Sequence, residues 1–211
     1  METINYAAIV EKVRQIAANA GAYIKTESEK FKQSDIELKG EHNYVTYVDK
    51  NAETLIVEQL TPLVPGAGFI TEEDTAGHQN EYFKWIIDPL DGTTNFIHGI
   101  PVYCVSIALM EGDEIVVGVV YEINLDECFY AWKGGEARLN DKRIRVSRNT
   151  DFNSALLATG FPYQDYGHLT TYLRVFEHLM KHTAGIRRLG SAAANLAYVA
   201  CGRFEGFYEY E

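Results

Sequence analysis

Cysteine is scarce in this chain. Cys104, Cys128 and Cys201 are the three among 211 residues, far apart and set among apolar neighbours. No pair has metal-ligand spacing, so they read as reduced core residues of a cytoplasmic protein. Long apolar runs are missing too: the longest, residues 102–123, is cut by Glu111, Asp113 and Glu114 and is too interrupted to span a bilayer. The opening METINYAAIVEKVRQ carries early charges and no continuous apolar stretch, so it does not read as a signal peptide. Basic residues are outnumbered, 19 against 30 acidic ones, for a net charge of −11. That balance argues against a nucleic-acid backbone or an anionic membrane as the main partner. The chain shows no Walker A lysine motif, no internal repeat and no low-complexity segment. What remains, 46% hydrophobic and 23% charged, is the composition of a soluble globular protein with a large core.

Periodicity supplies the elements. Ile9, Val13, Ile16, Ala17, Ala20 and Ile24 follow the spacing of one helix face, predicting a helix within residues 4–32 capped by Thr3. Residues 33–43 read as a polar, mobile stretch, and a second helix is expected from Asp49 to Leu63, ended by Pro62 and Pro65-Gly66. GFIT (68–71) and KWII (84–87) read as short strands. VYCVSIALM and IVVGVVYEI flank a tight turn, and further turns are expected at Gly134-Gly135 and Asn140-Asp141. Beyond Ser147 a strand (SALLATG), a helix at 169–181 and a small-residue helix at 192–200 suggest an α/β unit. The reading is a layered α+β protein. An N-terminal lobe, 1–146, carries a mostly antiparallel sheet, and a smaller α/β lobe, 147–211, follows.

Two of the apolar strands end in carboxylates, FIT at Glu72 and WII at Asp88, and Pro89 is expected to turn the chain so that Asp91 faces the same crevice. Two carboxylates about 4 Å apart repel by roughly 4 kcal/mol at an effective dielectric near 20, and a third adds to this. Proton sharing, an Arg or Lys partner, or a divalent cation could relieve the repulsion. Proton sharing usually joins only two groups, and Lys84 lies a strand-length from Asp88. A hard cation such as Mg²⁺ suits three carboxylates better. Gly92 lets backbone approach closely, and Thr93, Thr94 and Asn95 are suitable caps for a helix beginning near Phe96, whose free N–H groups would take phosphate oxygens. On its own, Asp91-Gly92 is also an ordinary turn. His178 and His182 have the spacing of a zinc pair, but the HExxH glutamate is absent and a solvated face is the simpler reading. GAGF at 66–69 lacks the third glycine of a dinucleotide loop, and no chemistry is assigned to His98.

The stretch WIIDPLDGTTNFIHGIP, with GFITEED and VTYVD upstream and LNDKRIRVS and RRLGSAAANLAYVACGRFEGFYEY downstream, resembles the inositol monophosphatase family of Mg²⁺-dependent, lithium-sensitive phosphatases. The matching blocks run in order along nearly the whole chain. The resemblance implies an α-β-α-β-α sugar-phosphatase fold, two or three Mg²⁺ ions and a homodimer. It further implies that Glu72, Asp88, Asp91 and the Leu90 carbonyl hold metal. Glu72 and Thr93 would handle the nucleophilic water, with Asp49 polarising the Thr93 hydroxyl. The Gly92 and Thr93 amides would hold phosphate, Gly190, Ser191 and Ala192 would line the substrate side, and Glu209 would accept from a polyol hydroxyl. Lys39 matches loosely as a residue near the phosphate.

The resemblance implies hydrolysis of inositol monophosphate. Relatives in the superfamily cleave fructose bisphosphate or 3′-phosphoadenosine nucleotides, and the Thr94-Asn95-Phe96 continuation looks more like the inositol branch. Family members continue past the match to Glu209 with a Trp-Asp segment whose aspartate joins the second metal, whereas this sequence stops at Glu211. A longer natural protein is one expectation. The other is a 211-residue form with a weakened second metal site, or a non-catalytic binding module.

Overall fold

The computed structural model describes residues 4–32, 36–40, 43–73, 82–162 and 165–210, with backbone alone at 36–40, 43 and 44. The stripe Val10, Val13, Ala17, Ala20 and Ile24 builds α1 (Tyr6–Ser28), and Asn5 caps it by accepting from the Ala8 N–H at 3.1 Å. Thr3, the cap expected from sequence, lies outside the described residues. Where a polar, mobile stretch was expected, β1 (Ile36–Gly40) and β2 (Asn43–Thr46) form an antiparallel pair. The alternation of IELKG and NYVT is short and half-polar, so composition outweighed a weak strand signal. Helix α2 (Tyr47–Leu60) begins two residues earlier than expected, with Thr46 as its cap and Asp49 in its first turn.

The main sheet has seven strands in chain order: β3 (Gly68–Thr71), β4 (Phe83–Asp91), β5 (Cys104–Glu111), β6 (Glu114–Glu122), β7 (Glu127–Trp132), β8 (Arg138–Leu139) and β9 (Lys142–Arg143). Every pairing is antiparallel except β3 with β4. That parallel pair sets Thr71 opposite Ile87, so the carboxyl ends of both strands open on the same side. Helices α1 and α2 cover one face of the sheet, burying Trp85, Ile87, Val105, Ile107 and Leu109.

A second sheet, order β11-β10-β12, is wholly parallel: β10 (Leu156–Thr159), β11 (Gly185–Arg187) and β12 (Gly206–Tyr208). Helix α4 (Leu169–His182) packs against β11, and α5 (Ala192–Ala200) lies between the sheets, touching β5 and β6 on one side and β12 on the other. The layers therefore run α1 and α2, sheet, α5, sheet, α4, the layered α+β fold expected. Phe129 from β7 packs with Ala197, Tyr198 and Phe204 to join the second sheet to the first. No helix among the described residues is long and apolar enough to cross a membrane.

Candidate active site

Strand β4 does not end at Asp88. It runs on to Asp91 through a bulge, with Asp88 opposite Ser106 and Asp91 opposite Cys104, so three steps on β4 match two on β5. In a regular strand, positions three apart point to opposite faces. The extra residue brings Asp88 and Asp91 to the same face and turns Leu90 into the core. Pro89 is the reason this site suits a bulge: it has no N–H to give to a ladder.

Asp88 and Asp91 line a cleft of about 970 Å³ together with Glu72, Leu90, Gly92, Thr93, Gly190, Ser191, Ala192 and Glu209. Glu72 stands within hydrogen-bonding reach of Asp88. Burial, followed by the negative charges of Glu72 and Asp91, pushes the Asp88 carboxyl well above the usual aspartate range, against the Leu90 N–H that donates to Oδ1 at 3.1 Å. Burial also raises Asp91, offset by donors from Ser191, Ala193, Ala192 and Cys104.

Behind this cluster, Asp49 is 2% exposed and divides its two oxygens between separate tasks. Oδ2 accepts from Thr46 N (2.9 Å) and Thr46 Oγ1 (2.6 Å), closing a capping box at the start of α2. Oδ1 lies 3.0 Å from Thr93 Oγ1, which is also 3.0 Å from the Leu90 carbonyl. Burial raises the Asp49 carboxyl, while the Thr46 and Thr93 donors oppose the shift.

The expected helix after Asp91 begins earlier than the sequence suggested. Helix α3 (Thr93–Ile97) has Gly92 at its cap, with φ +102°, a conformation only glycine adopts at low cost. Thr93, Thr94 and Asn95 are thus helical residues rather than caps. Asn95 spends its amide elsewhere, donating to the Val102 and Leu189 carbonyls at 2.7 Å each. A Cβ on Gly160 would sit 1.9 Å from Glu209 Oε1, so the β10 end is shaped around that carboxylate.

A sequence profile of the inositol monophosphatase family matches residues 6–211. The chain belongs to that family. It is 40% identical to an inositol-1-monophosphatase of Mesorhizobium japonicum over 96% of this chain and 76% of that one. It is also 42% identical to a protein of Pseudomonas aeruginosa named Nus factor SuhB, over 92% of this chain and 73% of that one. The crystal structure of the extragenic suppressor protein SuhB from Bartonella henselae superposes with a TM-score of 0.91 at 40% identity, covering 97% of this chain and 79% of that one.

The structure brings together the residues that the family resemblance singled out, Lys39 excepted, with Asp49 one layer behind the cleft. Among the described residues, no three His, Cys, Asp or Glu side chains stand so as to hold a metal ion by themselves. Asp91 Oδ2 accepts from the Ser191 hydroxyl and from the Ala193 N–H at the start of α5. The donors that line the cleft, the Glu72, Asp88 and Asp91 carboxylates and the Leu90 carbonyl, are all oxygens, and Mg²⁺ fits carboxylates together with water and phosphate. Among the described residues His178 and His182 stack on exposed α4 without a third ligand. The side chain of Lys39 lies outside the described residues.

Sequence reasoning missed Thr46 and Glu53. Glu53 is fully buried on α2, one turn beyond Asp49, and its Oε2 accepts from the Glu73 N–H at 2.8 Å, fixing the turn that carries Glu72. The signal was present: T-x-x-D is a capping box, and Asp49 and Glu53 interrupt the apolar stripe Ala52, Ile56, Leu60. Phe161, Asp165 and Tyr166 on the far wall of the cleft carried no motif that marked them, and Arg188, Tyr210 and the rim residue His98 lie inside the matching blocks but were given no role.

Proposed function

We propose that the chain hydrolyses a phosphate monoester with Mg²⁺, inositol monophosphate or a similar sugar phosphate being the substrate. The observation that carries this reading is the Asp49–Thr93–Leu90 array set directly behind Glu72, Asp88 and Asp91. Glu72, Asp88, Asp91 and the Leu90 carbonyl would hold the cation, as two or three ions. Bound Mg²⁺ supplies neutralisation of phosphate charge and a more acidic water. Thr93, donating to Asp49, has lone pairs left to accept a hydrogen bond from the attacking water and so orient it, and Glu72 is the carboxylate that would accept the water's proton. Gly92 and Thr93 offer N–H groups to phosphate oxygens. Glu209, at the opposite wall, accepts from a hydroxyl of the leaving polyol. Lithium inhibition, a homodimer and a cytoplasmic location belong to the same reading and rest on the family.

The test is phosphate release from inositol monophosphate, fructose 1,6-bisphosphate and a 3′-phosphoadenosine nucleotide, each with Mg²⁺ and with chelator. Fastest chelator-sensitive release from inositol monophosphate is the expected result. Release from none of the three overturns the reading. The relative named as a Nus factor favours a second reading, a regulatory partner without turnover, which predicts no release from a folded protein and retained capture of a protein partner. Within the first reading, Glu53→Ala is expected to lower turnover about ten- to hundredfold by freeing the Glu72 turn, with partial recovery in Glu53→Gln, as steady-state kinetics would show.

A further inference from the structure

Asp91 is gripped across the junction of the two sheets. Ser191 Oγ donates to Asp91 Oδ2 at 2.6 Å, and the Ala193 N–H reaches the same oxygen at 2.7 Å. Ser191 also caps α5, its Oγ accepting from the Ala194 N–H at 3.2 Å. Its hydroxyl proton is therefore free to go to Asp91, and the cap leaves the geometry of that donation no slack. The third neighbour is Cys104, whose Sγ lies 3.2 Å from Ser191 Oγ and 3.7 Å from Asp91 Oδ2. Ser191 is 1% exposed, so its side chain faces protein although its backbone borders the cleft.

We infer that Ser191 is a positioning residue for Asp91: its hydroxyl fixes the carboxylate rotamer on the N-terminus of α5, so that Oδ1 is the oxygen offered to a divalent cation. This departs from the role the family resemblance implied, in which Ser191 lines the substrate side. The inference rests on the phosphatase reading, because the cation is that reading's cofactor. Its physical content is a division of labour within one carboxylate. Donors on Oδ2, strengthened by charge and by the helix end, hold the group immobile. An Asp91 without them can rotate, and each alternative rotamer removes Oδ1 from the cation. Positioning of this kind changes cation affinity and leaves the affinity for a polyol substrate alone.

The experiment compares Ser191→Ala, Ser191→Thr and Asn5→Ala with the unaltered chain. Asn5→Ala removes a helix cap of the same kind on α1, far from the cleft, and controls for lost stability alone. Two readouts are taken: the Mg²⁺ concentration for half-maximal phosphate release, with KM and kcat at saturating Mg²⁺, and the rise in melting temperature when Mg²⁺ is added without substrate. For Ser191→Ala, half-saturation is expected at about tenfold higher Mg²⁺, with KM unchanged and the Mg²⁺-induced melting shift reduced. Ser191→Thr, which keeps the hydroxyl, restores both, and Asn5→Ala changes neither. A raised KM at normal Mg²⁺ dependence would overturn the inference, placing the hydroxyl on the substrate. Equal effects from Ser191→Ala and Asn5→Ala would overturn it too, reducing Ser191 to a cap. If the unaltered chain releases no phosphate with any cation, the phosphatase reading fails. The melting arm then still reports whether Ser191 governs cation binding.

Discussion

Asp88→Asn is expected to depress Mg²⁺-dependent phosphate release by about a thousandfold or more, and also to raise the melting temperature of the metal-free protein. The two effects have one cause. Asp88 is held in a part-buried position against Glu72 and Asp91, an arrangement that raises its carboxyl well above the ordinary range. An ionised group there is unfavourable until a cation arrives, so the neutral amide relieves the fold. The same amide loses the charge that a hard cation needs, and losing several kcal/mol of transition-state stabilisation is worth about a decade of rate per 1.36 kcal/mol. In a chain of this size each kcal/mol moves the melting temperature by about 2–4 °C. Activity lost together with a lower melting temperature would identify Asp88 as a structural residue. Activity retained would remove it from the site.

The second large effect concerns pH. A carboxyl whose folded pKa is raised binds its proton more tightly in the folded than in the unfolded chain. Stability from that group is therefore present below the ordinary aspartate value near 4 and is lost as pH climbs to the raised value. Without divalent cation, the melting temperature of the unaltered protein should fall behind that of Asp88→Asn progressively across this window. Taking the difference cancels groups shifted the opposite way, such as Glu205, lowered by Ser147 and the Leu156 N–H. Adding Mg²⁺ at neutral pH should close the gap, since a ligand at a hundredfold excess over its Kd stabilises by about 2.7 kcal/mol. Scanning calorimetry at pH 4 to 8 checks both. A gap that narrows with rising pH in metal-free buffer would show that burial does not govern Asp88.

The layers and most elements were legible in the sequence because their signals are local. The α1 stripe, the β5–β6 hairpin and the α5 segment 192–200 each carry a period or a turn that needs no tertiary information. The candidate site was legible through its motif, but its construction was not. Pro89 suggested a chain turning away, whereas the partner strand β5 holds the chain in register on either side of a bulge. That outcome depends on β5, which lies beyond the motif in sequence. Likewise nothing near Asp91 announces that one of its oxygens belongs to α5, and nothing near Ser191 announces a carboxylate. The α2 capping box was readable from T-x-x-D alone, and its link to Thr93 was readable only from the fold.

The reach of the Asp91 grip also sets an order of assembly. Ser191 stands 100 residues after Asp91, Ala193 stands 102 after it, and the Leu189 carbonyl that holds Asn95 is 94 further along the chain. The main sheet spans only residues 68–143 and is complete well before any of these appear. On a ribosome adding about 5–20 residues per second, α5 follows Asp91 by roughly 5–20 s. Throughout that interval the nascent chain carries its paired aspartates with no serine hydroxyl or helix end to hold them. The scaffold is thus built early from short-range pairings, and the cleft is finished late by loop closures of about a hundred residues, whose entropy grows only logarithmically with length.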